Sequence, residues 1–115
     1  MIESTESTRS AGQLPRVLAA LAHPQRLRII AALTDKRSYV SELARTLALG
    51  RPLVHMHLQR LEAAGLVKGT LELSGDGKAM KFFDVTPFSY CVTPDLVVRA
   101  AATLTTEQFT PRRTQ

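Results

Sequence analysis

From Leu14 onward the apolar positions recur at helical spacing: Leu14, Val17, Leu18 and Leu21 fall at i, i+3, i+4 and i+7, one stripe of a first helix. His23-Pro24 ends it, because the residue before a proline is driven out of the helical region, whereas Pro24 itself suits the first turn of a second helix. In that helix Leu27, Ile30 and Ala31 mark one face and Ile29 and Leu33 widen it, which predicts a central position. A polar break, Thr34 to Ser38, precedes a short third helix carrying Val40, Leu43, Ala44 and Leu47. After the turn Ala48-Leu49-Gly50, Pro52 takes the N1 place of a fourth helix. Its stripe is Val54, Leu58 and Leu61, and Gly65 ends it at the left-handed C′ position. Two helices joined by about three residues form a helix-turn-helix.

Past Gly65 the period changes to two. Val67, Gly69, Leu71 and Leu73 alternate with Lys68, Thr70 and Glu72, as in a half-buried strand. Ser74 to Lys78 supplies a loop with two glycines, and Ala79 to Val85 returns as the second strand of a hairpin. Thr93-Pro94-Asp95 reads as N-cap, N1 proline and acidic first-turn residue of a last helix with Leu96, Val97, Ala100, Ala101 and Leu104. The expected fold is mainly α with one small hairpin, a winged helix-turn-helix in the order α-α-α-α-β-β-α. The polar stretches at the ends set its limits: a tail at 1–12, the folded domain at 13–104, and a flexible basic tail at 105–115.

Composition narrows the partner. In 115 residues there is room for one core, and 44% hydrophobic with 22% charged residues is ordinary for a globular domain. Fifteen Lys and Arg against ten Asp and Glu give +5, which favours an anionic partner. No apolar run approaches the ~20 residues that span a bilayer, and the first residues lack a signal-peptide core, so a soluble, cytoplasmic protein without a membrane partner is expected. The single Cys91 suits a reducing compartment. Few aromatic residues and no Trp leave little for stacking single strands, so duplex DNA is the better anionic candidate.

Two stretches resemble one family. Leu21-Ala22-His23-Pro24-Gln25-Arg26-Leu27-Arg28-Ile29-Ile30 is similar to the "ALAHPTRLRIL" opening of the ArsR/SmtB regulators. Val40-Ser41-Glu42-Leu43-Ala44, followed by Leu53 through Val67 (LVHMHLQRLEAAGLV), is similar to that family's "VSELA" and "TVSHHLKVLREAGLV". The likeness covers Leu14 to about Leu104, strongly from Ala22 to Val67 and weakly beyond. It implies a homodimeric transcriptional regulator binding a double-stranded operator, many relatives being metal sensors.

Chemistry read from the residues agrees with DNA binding. With Val54, Leu58 and Leu61 turned inward, Arg51, Leu53, His55, Met56, Gln59 and Arg60 occupy the outward arc of the fourth helix. Gln59 suits adenine, Arg51 or Arg60 guanine or phosphate, and Leu53 or Met56 a thymine methyl. Between Lys36 and Lys81 eight basic residues face four acidic ones, and Lys78 and Lys81 would sit on the wing beside a phosphate backbone. Surplus apolar stripes on the terminal helices (Leu14, Val17, Leu18, Leu21; Leu96, Val97, Ala100, Ala101, Leu104) predict a two-fold interface.

A metal effector is a weaker expectation. His55 and His57 lie about 200° apart on a helix and cannot chelate one ion. A packed core role is expected for His57, and a capping or packing role for His23. Family sensors commonly place cysteines where Tyr39, Ser41 and Ala44 stand here, or Asp and His on the last helix, and Thr93 to Gln115 contains no histidine. The remaining metal option is nickel or zinc held between subunits by His23, His55 or His57 with carboxylates. A co-regulator protein is the other effector class. Gly75-Asp76-Gly77-Lys78 lacks the span of a phosphate-binding loop, and no catalytic motif is present, so no enzyme is expected and no cofactor is needed for folding. The competing function is a winged-helix protein-interaction module without DNA binding.

Overall fold

The computed structural model describes residues 3–104, which form α1 (Glu3–Leu21), α2 (Pro24–Asp35), α3 (Val40–Leu47), α4 (Arg51–Ala63), β1 (Val67–Leu73), β2 (Ala79–Val85) and α5 (Pro94–Ala102). This is the expected order, five helices and one antiparallel hairpin. Among the described residues no helix is long and apolar enough to cross a membrane. The segment expected as a basic tail, 105–115, lies outside them.

The chain divides into two compact units. One joins the N-terminal part of α1, up to Pro15, with the chain from Ser89 onward. Its core is Ala11, Leu14, Leu96 and Ala100, with Tyr90 packed on it. This burial corrects the first boundary: residues 3–12, expected as a tail, belong to α1, whose helix is held by Ala11 and Leu14 against α5 rather than by its own polar sequence. The helix also runs through Pro15, which removes the bond that residue would have donated to Ala11. Thr93 caps α5 as expected, its Oγ1 accepting from Leu96 N at 3.1 Å.

The second unit, Arg16–Phe88, holds the helix-turn-helix and the hairpin. Its core includes Val17, Ile29, Leu33, Leu43, Leu47, Val54, Leu58, Leu61, Leu66, Val67 and Phe83. His23 caps α2, its Nδ1 accepting from Gln25 N at 3.2 Å. The buried face of α2 is narrower than its hydrophobic pattern marks and is centred on the residues that widen it. Leu27 and Ala31 are exposed, while Ile29 and Leu33 are buried. The inward stripe is Arg26, Ile29, Ile30 and Leu33, an i, i+3, i+4, i+7 series whose first place holds a charged residue.

Between α3 and α4 the non-glycine Ala48 takes the left-handed conformation (φ 57°), and its amide bonds back to Ala44. Gly65 (φ 78°) ends α4 at the expected place. The strands pair Val67 with Val85 through Leu73 with Ala79, and Gly77 (φ 85°) closes the connecting turn with its amide on Ser74 O. A second correction concerns burial in this hairpin. Only its base is covered, through Val67 and Phe83, and Leu71 and Leu73 face solvent. A two-stranded ribbon has no third element to cover its outer half. The stretch read as a polar break adds a short bridge instead: Ser38 exchanges both backbone hydrogen bonds with Phe83 (3.2 and 2.7 Å).

Candidate nucleic-acid interface

Helix α4 separates into two arcs. Val54, His57, Leu58 and Leu61 are buried. Arg51, Leu53, His55, Gln59 and Arg60 are exposed, and Met56 is half-buried. At 100° per residue Gln59 lies near the middle of the outward arc, with Arg51 and Arg60 roughly 80–100° to either side. A helix seated in a groove along that arc would aim Gln59 at base edges and its arginines at the flanking backbones. Arg51 also reaches α3, donating to Ser41 Oγ at 3.4 Å.

The hairpin is fixed to this helix by a residue that the sequence does not single out. Glu62, on α4, accepts from Gly69 N at 3.3 Å and holds the Lys81 ammonium at 3.7 Å. Lys81 therefore lies across Gly69 and toward the Phe83 ring, 5.3 Å from its centroid, rather than standing free at the wing. A Cβ at Gly69 would come within 3.0 Å of Phe83 Cε2, which explains the glycine in mid-strand. Lys78, in the turn, is exposed as expected. On the other side of the hairpin Arg37 forms a two-pronged pair with Glu72 (2.8 Å for one prong) and stacks over Phe82 at 4.4 Å. That pairing raises the Arg37 pKa and lowers that of Glu72.

Charge pairing leaves a net surplus of cations on this unit. Glu42 holds Lys36 at 3.6 Å, Glu72 holds Arg37, and Glu62 holds Lys81. Asp76 is engaged by the Ser74 hydroxyl and Lys78 N. Among the described residues Arg45, Arg51, Arg60, Lys68 and Lys78 make no ion pair.

The histidines separate. His55 is exposed on the outward arc, while His23 and His57 meet with ring centroids 4.5 Å apart. Neither of the paired rings offers a free lone pair. His23 Nδ1 caps α2, and His57 Nδ1 accepts from Arg26 Nε at 3.0 Å, so its buried Nε2 carries the proton and has no partner. Arg26 is anchored in turn on Ala20 O at 3.2 Å. Burial first, then His23, Arg26 and Arg60, push the His57 pKa below its ordinary value. Among the described residues no three His, Cys, Asp or Glu side chains cluster to hold a metal, and a guanidinium beside His57 opposes one. These residues do not fit a metal centre within one chain.

The proposed interface residues of the terminal helices also divide. Leu14, Val17, Leu96 and Ala100 are buried within the chain itself, which corrects their assignment as surplus. Leu21 is half-buried, and Leu18, Val97, Ala101 and Leu104 remain exposed.

Comparison with known proteins matches this architecture. The family profile "Bacterial regulatory protein, arsR family" covers residues 23–68. A protein of Methanocaldococcus jannaschii, an uncharacterized HTH-type transcriptional regulator, is 33% identical over 78 residues, 68% of this chain and 81% of its own. The HTH-type transcriptional repressor SmtB of Mycobacterium tuberculosis is 43% identical over 60 residues, 52% of this chain but only 42% of SmtB. The solution structure of a homodimeric winged helix-turn-helix DNA-binding domain from Mycobacterium bovis superposes with TM-score 0.55 at 23% identity, over 78% of this chain and 73% of that one. With the motif in α2 to α4, the two arcs of α4 and the hairpin behind it, the chain belongs to the ArsR family of helix-turn-helix transcriptional regulators.

Proposed function

We propose that the chain binds its DNA operator as a homodimer, with α4 in the major groove, the hairpin over the neighbouring backbone, and the exposed apolar residues of α1 and α5 at the two-fold interface. The observation that carries this reading is the split of α4, whose inward arc is consumed by the core while Arg51, Gln59 and Arg60 stay exposed beside cations that, among the described residues, make no ion pair. A module that had lost DNA binding would have no need of that surplus. The homodimeric state of the M. bovis domain supports the dimer, and two α4 helices would then address half-sites about one helical turn apart or at a longer spacing. Such a protein works in the cytoplasm and performs no catalysis.

The test is a salt-resolved titration of a selected duplex. Arg51→Ala and Gln59→Ala are each expected to weaken specific binding by about 1–3 kcal/mol with little change in melting temperature. Lys78→Ala is expected to weaken all sequences alike and to lower the salt slope by about 1. Unchanged affinity in both α4 variants would remove that helix from the groove.

The effector is proposed to be something other than a metal held by one chain, because the paired histidines are already engaged. A co-regulator protein, or nickel or zinc held between subunits through His55 and carboxylates, fits the donors that remain. Calorimetric titration of either metal is expected to give no submicromolar site that depends on His23 or His57. Submicromolar binding abolished by His23→Ala or His57→Ala would overturn this.

A further inference from the structure

We propose that Arg26 is a positioning residue for operator reading: its guanidinium fixes the roll of α4 against α1 and α2, and so aims Gln59 at the base edges. The inference rests on the reading of α4 as the helix in the major groove, and it names a residue outside the DNA contact that sets specificity.

Apolar packing alone leaves α4 free to roll. The buried residues of α4 are Val54, His57, Leu58 and Leu61, and of their side chains only the imidazole can make a hydrogen bond. Burial of the other three is favourable over a range of angles, because the hydrophobic effect has no direction. Arg26 supplies the direction. Its Nε donates to His57 Nδ1 at 3.0 Å and its Nη1 to Ala20 O at 3.2 Å. The second acceptor is one that α1 itself leaves open, since a helical Ala20 would bond the amide of the residue four places on, and that residue is Pro24. A planar fork carried on α2, with bonds to α1 and α4, sets the angle at which these helices meet. The ring is held from a second side by His23, at 4.5 Å between centroids, and His23 is itself fixed by the Gln25 amide. All these residues lie in the unit Arg16–Phe88.

Gln59 stands two residues beyond His57, about 200° around the helix, so the pinned ring and the reading side chain lie on opposite sides of one axis. A roll of ~20° would shift a side-chain tip ~5–6 Å from that axis by roughly 2 Å, more than a base-edge hydrogen bond tolerates. The cost of the arrangement also points beyond stability. Among the described residues His57 Nε2 is buried without a partner, and Arg26 has no carboxylate partner. An apolar pair of similar volume would fill the space with neither defect. Such a pair could not fix an angle.

The experiment uses the full chain, a selected duplex and a random duplex, with binding read at a temperature where circular dichroism shows each variant folded. Arg26→Lys keeps the charge without the planar fork, and Arg26→Met/His57→Leu removes both partners at once, so that neither is left unpaired. Each is expected to lose about tenfold for the selected duplex while affinity for the random duplex stays within about twofold and the salt slope is unchanged. In wild type Gln59→Ala costs about tenfold for the selected duplex; added to either Arg26 variant it should cost no more than about twofold, because a side chain that is no longer aimed has little left to lose. His57→Gln, which keeps an acceptor for Arg26 Nε, should stay within about threefold of wild type. An Arg26 with a purely structural role would lower the melting temperature and leave the selected-to-random ratio of the folded variants unchanged, and that result would overturn the proposal. Full additivity with Gln59→Ala would overturn it as well, as would a salt slope lowered by about 1, the mark of a direct phosphate contact. In each of these cases Gln59→Ala still weakens wild type, and the α4 reading stands. Gln59→Ala without effect in wild type would overturn both.

Discussion

Val97→Glu and Leu18→Glu are each expected to convert the proposed dimer to monomer and to weaken operator binding by about 100- to 10,000-fold, the factor that joining two half-site contacts contributes. In the single chain both side chains are about half exposed, Leu18 at 46% and Val97 at 47%, so a carboxylate there costs the fold little. In a two-fold interface each substitution occurs twice and places two unpaired charges against an apolar surface. The contrast with their neighbours matters. Leu14 and Leu96 belong to the chain's own core, so Leu96→Glu would unfold that unit and leave the interface untested. Sedimentation equilibrium at micromolar protein, thermal melting and operator titration on the same samples separate these effects. A wild-type chain that is monomeric at micromolar concentration would end the dimer reading, as would variants that remain dimeric.

What the sequence made legible was whatever is decided by a few adjacent residues. Proline and cap geometry fixed the start of α2 at His23-Pro24 and of α5 at Thr93-Pro94-Asp95, and a positive φ at Gly65 fixed the end of α4. The two arcs of α4 follow from helical periodicity alone. The features missed are those decided by what another element covers. Helix α1 begins before its hydrophobic stripe because Ala11 is buried against α5. The inward face of α2 was drawn too far toward Leu27 and Ala31 because Arg26, a charged residue, fills its first inward position to meet His57. Alternation along β1 gave the correct faces but not how far the body extends beneath them, so Leu71 and Leu73 were expected to be covered. Glu62 gave no local signal, since its partners, Gly69 and Lys81, lie on the hairpin. A glutamate five residues before a strand-like alternation, followed by a strand glycine and a lysine on the return strand, is the only trace it leaves.

His57→Ala is expected to destabilise the chain by about 2–5 kcal/mol, the range for emptying a filled core site, and to lower the melting temperature by roughly 10 °C or more. The ring, on the inward arc of α4, is fully buried and is, among the described residues, the sole acceptor for Arg26 Nε, so the variant leaves both a cavity and an unpaired guanidinium N–H. The same site makes stability depend on pH. Because burial and the neighbouring His23, Arg26 and Arg60 hold the His57 pKa below its ordinary value of 6.5, the unfolded chain takes up this proton first. The neutral ring's contribution is therefore complete above about pH 6.5 and is lost as pH falls from there through the lower folded value. Protonation would also replace the Nδ1 acceptor with a donor facing Arg26 Nε–H, beneath the helix that carries Gln59 and Arg60. Glu42, Glu72 and Asp76 are shifted the opposite way in charge terms, held below 4.5, 4.5 and 3.8 mainly by hydrogen bonds from Ser38, Arg37 and Ser74. Their contributions are lost only in a more acidic window. Denaturant midpoints measured between pH 8 and pH 5 should thus fall below about pH 6.5 in wild type. They should flatten in His57→Gln, which keeps an acceptor for Arg26 but does not titrate. Parallel curves for the two proteins would show that His57 is not the group that titrates, whatever its place in the core.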